Sequence, residues 1–231
     1  MTLGCLCVPI KYLPNLEAQF VSKRIEHRLW AEIKWNKITT NYLPKYLDFL
    51  STYLANNKVT YHSWTYLKPT RQVLDGYYGG DKECVLYRQT YLLIRNVIRK
   101  YHNSSYNGPF TIIPDETGSR GQREYKSTHD LLNSDGYIKP KPNIEFCAQS
   151  DSKVLGALQI CDLCTGAVHY LYDHELSQDT ESANAVINLL QNINSGIPIN
   201  YSPISLPKVE EYKLHHCLFK PPQTISCCSA S

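Results

Sequence analysis

The chain has 231 residues, 42% of them apolar, and a formal net charge of +3 at pH 7. That length supports one full-sized domain with a substantial core. The near-neutral balance excludes a uniformly basic surface, so a nucleic-acid or membrane partner would need a local patch.

Nine Cys, an odd number, do not suggest a disulfide scaffold. The opening MTLGCLCVPIKYLP has neither a basic region nor a small-residue cleavage site, and no apolar run is long enough to span a bilayer. These features lead us to expect a cytoplasmic protein with reduced thiols and no membrane segment. In chain order, LGCLCVPI (3–10) reads as a strand stopped by Pro14. NLEAQFVSKRIEHRLW (15–30) has helical spacing, EIKWNKI (32–38) follows it, and LPKYLDFLSTYLA (43–55) is a helix with Pro44 in its first turn. KVTYHSWTYL (58–67) is a strand, DGYYGGD (75–81) a turn, and CVLYRQTYLLIRNVIRKYH (84–102) a long amphipathic helix. GPFTIIPDETG (108–118) is strand then turn, REYKSTHDLLN (123–133) a helix, PNIEFCAQSDS (142–152) a strand. A helix runs from 155 to about 172, another over 179–193, and residues 206–231 read as an irregular tail. Strands alternate with helices from residue 58 on, which argues for a single α/β domain over 1–205.

The 155–172 helix is apolar in nearly every direction, yet it carries Asp162. A buried, unpaired carboxylate costs several kcal/mol, so Asp162 is expected to face a site. Steps of about 100° place Gln159, Asp162, Gly166, His169 and Asp173 on one polar stripe. Thr165 and Gly166 would let that helix approach the sheet closely. Asp115 lies at the end of FTIIP, where ligands gather in parallel sheets, with Glu116 next to it. Glu32 sits at the end of the first helix. Converging carboxylates suit Mg²⁺ or Mn²⁺, which take oxygen ligands, and such ions serve phosphodiester hydrolysis. Plainer readings stand beside these. Asp162 could pair with Lys34, Lys153 or Arg120, Asp115 could serve only its turn, and Glu32 could be a solvated helix end. SDSK (150–153) could be a polar loop that caps the next helix. Cys161 and Cys164 form a C-x-x-C in mid-helix, not where a redox pair or a zinc site belongs.

EIKWNKI, IIPDE and SDSKVLGALQICDLCTGAV stand in the order and spacing of a bacterial and phage family, domain of unknown function 3800, which the chain resembles over roughly residues 3–175. The most specific part is Leu158-Gln159-Ile160-Cys161-Asp162-Leu163-Cys164-Thr165-Gly166-Ala167, preceded by Ser152-Lys153. The resemblance implies an RNase H-like mixed sheet flanked by helices. It also implies Glu32, Asp115 and Asp162 as catalytic, metal-holding carboxylates. Lys34, Glu116, Ser152, Lys153 and Gln159 would support the carboxylates or contact phosphate. The family's opening strand, which carries the first carboxylate, has no counterpart here, and LGCLCVPI matches its second strand. An upstream start, or strand donation by a partner or a second copy, is the corresponding expectation.

The implied activity is a Mg²⁺- or Mn²⁺-dependent nuclease on RNA or DNA. The alternative is a non-catalytic nucleic-acid-binding or scaffold member of the same fold, inactive through loss of the first carboxylate. A role in phage defence or in mobile elements fits the family's usual company.

Overall fold

The computed structural model describes residues 2–56, 58–66, 82–103, 108–115, 128–136, 138, 141, 143–147, 149–173, 181–193 and 214–219. In chain order they form β1 (Thr2–Cys7), α1 (Leu13–Glu26), a 3₁₀ turn (Trp35–Lys37), α2 (Leu43–Leu54), β2 (Thr60–Tyr66) and α3 (Lys82–Asn103). Next come β3 (Phe110–Ile112), a helical stretch at 128–134, β4 (Ile144–Cys147), α4 (Gly156–Asp173), α5 (Glu181–Ile193) and β5 (Leu214–Phe219). The fold is mixed α/β. Pro14 and Pro44 stand in the first turns of α1 and α2, where the missing N–H has no intrahelical partner to lose.

Two small sheets organise these elements. β1 runs antiparallel to β2, with Cys5 opposite His62, and β2 runs parallel to β5, giving the order β1-β2-β5. β3 and β4 form a parallel pair with an irregularity between Phe110 and Thr111. The alternation of β1 separates its two faces. Leu6 packs with Tyr61 into the main core, against Leu16 and Phe20 of α1, Phe49 and Tyr53 of α2, Ile160 and Leu163 of α4, and Val186 and Leu190 of α5. Leu3, Cys5 and Cys7 meet Trp64 together with Leu93 and Val97 of α3. The same helix uses Tyr91, Ile94 and Ile98 to cover Ile144 of β4 and Phe110 of β3. α3 therefore lies against both sheets. No helix among the described residues is long and apolar enough to cross a membrane.

Three expectations need correction. The segment at 206–231 is not irregular throughout, because Leu214–Phe219 is a strand. Residues 61–65 of β2 are all buried, so its backbone donors and acceptors need partners on both sides. β1 supplies one side and β5 of the same chain the other. The first helix ends at Glu26, not near residue 30, so Glu32 is not at its end. Gly166 does not serve the approach of α4 to the sheet. That role belongs to Gly4 of β1, where a Cβ would fall 1.9 Å from Thr165 Oγ1 and 2.7 Å from the Tyr61 hydroxyl. Thr165 reaches the sheet as expected, and Tyr61 donates its hydroxyl to Thr165 Oγ1 at 3.0 Å.

Candidate functional site

The termination of α1 positions the first carboxylate. His27 closes the helix, the N–H of Arg28 reaches the carbonyl of Ile25, and that of Leu29 reaches Arg24 at 2.9 Å. This is a Schellman ending. The position that usually takes Gly is held by Arg28, whose φ of 50° lies in the left-handed region. The Arg24 side chain then braces the following segment. Its Nε donates to the Leu29 carbonyl at 3.0 Å, and its Nη2 donates to the carbonyls of Trp30 and Ala31 at 2.6 and 2.9 Å. The chain enters residues 32–34 from this braced loop.

Gln159 fixes those residues to α4. It is 1% exposed and uses both ends of its amide. Oε1 accepts the Ile33 N–H at 2.8 Å, while Nε2 donates to the Ser152 carbonyl at 2.7 Å. One side chain thus joins the EIKW segment to the SDSK turn. The Ser152 hydroxyl then donates to Glu32 Oε1 at 2.5 Å, and Lys34 Nζ lies 3.1 Å from Glu32 Oε2. Trp35 completes the seam. Its N–H donates to Asp162 Oδ2 at 2.9 Å, and its indole occupies the space a side chain at Gly166 would need, with a built Cβ 2.1 Å from the Trp35 Cγ. Gly166 is therefore the seat of Trp35.

Asp115 comes from the other sheet. It forms a parallel bridge with Ser150 beyond the end of β3, and the Ser150 N–H reaches the Pro114 carbonyl at 3.0 Å. The parallel pairing of β3 and β4 thus extends as far as Asp115. Asp115, Glu32 and Asp162 act electrostatically on the same ammonium, Lys34, whose pKa rises, chiefly through its hydrogen bond to Glu32. The Glu32 side chain is 9% exposed. Burial pushes its pKa up, but the Ser152 hydroxyl and Lys34 outweigh that and leave it below its ordinary value. Asp162 shifts the other way. One side is open to solvent, yet the protein around it raises its pKa by desolvation. The Trp35 N–H and Lys34 oppose that rise, while Asp115 and Glu32 add to it. Lys34 thus pairs with Glu32, and Asp115 and Asp162 lie within its electrostatic reach.

Of the predicted site residues, the structure brings together Glu32, Lys34, Asp115, Ser152, Gln159 and Asp162. Lys153 is exposed, and its backbone N–H bonds to Asp151 Oδ1 at 2.8 Å in the turn before α4. Among the described residues its ammonium makes no ion pair with the carboxylates. Glu116 lies outside the described residues, as do Arg120 and the turn at 75–81. Gln159 holds the two segments in place and, at 1% exposed, is not presented to a phosphate. His169 of the polar stripe has Nδ1 3.2 Å from Thr2 Oγ1. Cys161 and Cys164 are core thiols, the former pushed up to about 12 by burial.

Among the described residues, the group of three metal-capable donors mutually within 4.8 Å is Glu26–His27–Asp48. Its Asp48 carboxylate is already engaged, because Oδ2 lies 2.8 Å from Lys23 Nζ and 2.7 Å from His27 Nε2. The oxygens of Glu32, Asp115 and Asp162 do not meet that spacing. They form an acidic patch and not a closed cage.

Sequence reasoning missed Glu17. Its carboxylate accepts the N–H groups of Gly156 and Ala157 at 2.8 and 2.9 Å, and the Tyr53 hydroxyl at 2.5 Å. A side chain from α1 thereby caps the first turn of α4, the helix that carries Gln159 and Asp162. No local pattern at 13–26 signals this, because the cap comes from 139 residues away. Comparisons with protein-family models, with curated proteins and with solved structures find no match to this chain.

Proposed function

We propose that this chain is a metal-dependent phosphodiesterase, a nuclease on RNA or DNA built on an RNase H-like plan. The observation that carries the reading is the seam that joins three segments: Ser152 bonds Glu32, Gln159 ties Ile33 to Ser152, the Trp35 N–H bonds Asp162, and Asp115 pairs with Ser150 two residues before Ser152. The motif resemblance to domain of unknown function 3800 points to its three carboxylates, Glu32, Asp115 and Asp162. The donor set fits Mg²⁺ or Mn²⁺, because it is all oxygen and its three carboxylates outnumber the two ammonium groups, Lys34 and Lys37, that act on Glu32. Mg²⁺ keeps several waters and binds through one or two carboxylates plus phosphate, so an open patch suffices. Bound there, the ion would neutralise phosphate charge and acidify a water. Glu32, held ionised by Ser152 and Lys34, and Asp162, held by the Trp35 N–H, would orient it, and Lys34 would offer its ammonium to a phosphate oxygen. The test is cleavage of labelled RNA and DNA with and without Mg²⁺ or Mn²⁺. Cleavage should require the ion, and Asp162→Asn should abolish it while leaving the circular dichroism spectrum unchanged. Unchanged cleavage by that variant sinks the assignment.

A second reading has its own observation. The carboxylate oxygens are farther apart than a pre-formed metal cluster, and Lys34 already pairs with Glu32. A non-catalytic nucleic-acid-binding scaffold would show salt-sensitive binding without dependence on divalent ions. A divalent requirement for binding or cleavage rejects it.

A further inference from the structure

Trp30 is 71% exposed, although a large aromatic gains from leaving water. It stands two residues before Glu32, so its Cα lies within about 7 Å of that of Glu32 by chain reach alone. The surrounding backbone is unusually constrained for a surface loop. Leu29 and Ile33 are buried on either side, Arg28 holds a left-handed conformation, and Arg24 grips three successive carbonyls, that of Trp30 included. Rigid bracing of an exposed aromatic lowers the entropy lost when a ligand settles on it.

The charges nearby narrow the ligand. Arg28 and Lys37 are exposed, Lys34 is partly exposed, and Lys37 is close enough to Glu32 to lower its pKa. An aromatic platform interleaved with cations is how proteins hold unpaired bases beside a phosphate backbone. A duplex offers no free base face to such a platform.

We infer that Trp30 is a stacking platform for an unpaired nucleobase, placing a single strand across the carboxylate patch, with Arg28, Lys34 and Lys37 on its phosphates. This rests on the nuclease reading and assigns its substrate class as single-stranded nucleic acid.

The test is fluorescence anisotropy with labelled single-stranded DNA and RNA of one sequence, and the DNA duplex of that sequence, with Ca²⁺ replacing Mg²⁺. The wild type should bind a single strand more tightly than the duplex, and the tighter of the DNA and RNA arms names the substrate. Trp30→Ala should weaken single-strand binding by about 5- to 150-fold. Trp30→Phe should keep most of the affinity, and duplex binding should not change. The exposure of Trp30 means that its replacement should leave the melting temperature near that of the wild type. If the wild type binds single strands and Trp30→Ala binds them equally well, the stacking inference is overturned while the nuclease reading stands. If the wild type binds no nucleic acid at all, the nuclease reading fails, and the inference with it.

Discussion

Gln159 gives the sharpest test of how the site is assembled. Replacing it by Leu keeps a similar volume but removes an acceptor and a donor from a position that is 1% exposed. The Ile33 N–H and the Ser152 carbonyl would lose the partners now at 2.8 and 2.7 Å. Ile33 is fully buried and Ser152 is buried, so water does not readily replace either bond. Each orphaned group costs about 1–3 kcal/mol, so Gln159→Leu should destabilise by about 2–6 kcal/mol. That is a large share of the roughly 5–15 kcal/mol typical of a domain. Equilibrium urea unfolding, followed by tryptophan fluorescence, reads it as a fall in midpoint at unchanged slope. Gln159→Glu adds a control on direction. A protonated carboxyl can still accept from Ile33 and donate to Ser152, whereas an ionised one can only accept. Its folded-state pKa is therefore raised, and the variant should approach wild-type stability at low pH and lose it as pH rises through that pKa. A Gln159→Leu protein within about 0.5 kcal/mol of wild type would refute the claim that this amide joins the two segments.

Glu17→Ala should cost about 2–4 kcal/mol in the same assay, because it removes a two-bond helix cap and the acceptor for the buried Tyr53 hydroxyl. A change below about 0.5 kcal/mol would show that the first turn of α4 is capped by something else. Asp162→Asn should raise the melting temperature at pH 7 in EDTA. The folded protein holds the Asp162 proton more tightly than the unfolded chain, so ionisation costs stability above that raised pKa. The gain should vanish below the ordinary carboxylate value of 3.8, where both states are protonated, and a lower melting temperature at pH 7 would contradict the shift.

The sequence and the structure agree where a signal is local. The 3.6-residue periodicity of α3, α4 and α5 and the β-branched run of β2 were legible directly. The end of α1 was not, because Arg28 occupies the left-handed position where Gly would have announced a stop. β5 was not, because LHHCLF is short and becomes a strand only against the open edge of β2. In the site, the oddity of Asp162 on an apolar helix was readable, and so was the placing of Asp115 after a strand. The partners were harder. The Trp35–Gly166 fit, the Gln159 bridge and the Glu17 cap all join residues more than a hundred positions apart, and each depends on packing that no window of sequence contains. Gly166 and Gly4 show how this misleads. Sequence pointed to the helix glycine for the close approach to the sheet, and the strand glycine provides it.

The central claim is that Glu32, Asp115 and Asp162 form a site for a divalent cation. Titration of the protein with Mn²⁺, followed by electron paramagnetic resonance of the free ion, tests it without any substrate. The account predicts saturable binding that is lost in Asp162→Asn and in Glu32→Gln and unchanged in Asp48→Asn, since Asp48 Oδ2 is already paired with Lys23 and bonded to His27. Binding that survives the first two substitutions and disappears with Asp48→Asn, or no saturable binding by the wild type, would contradict it.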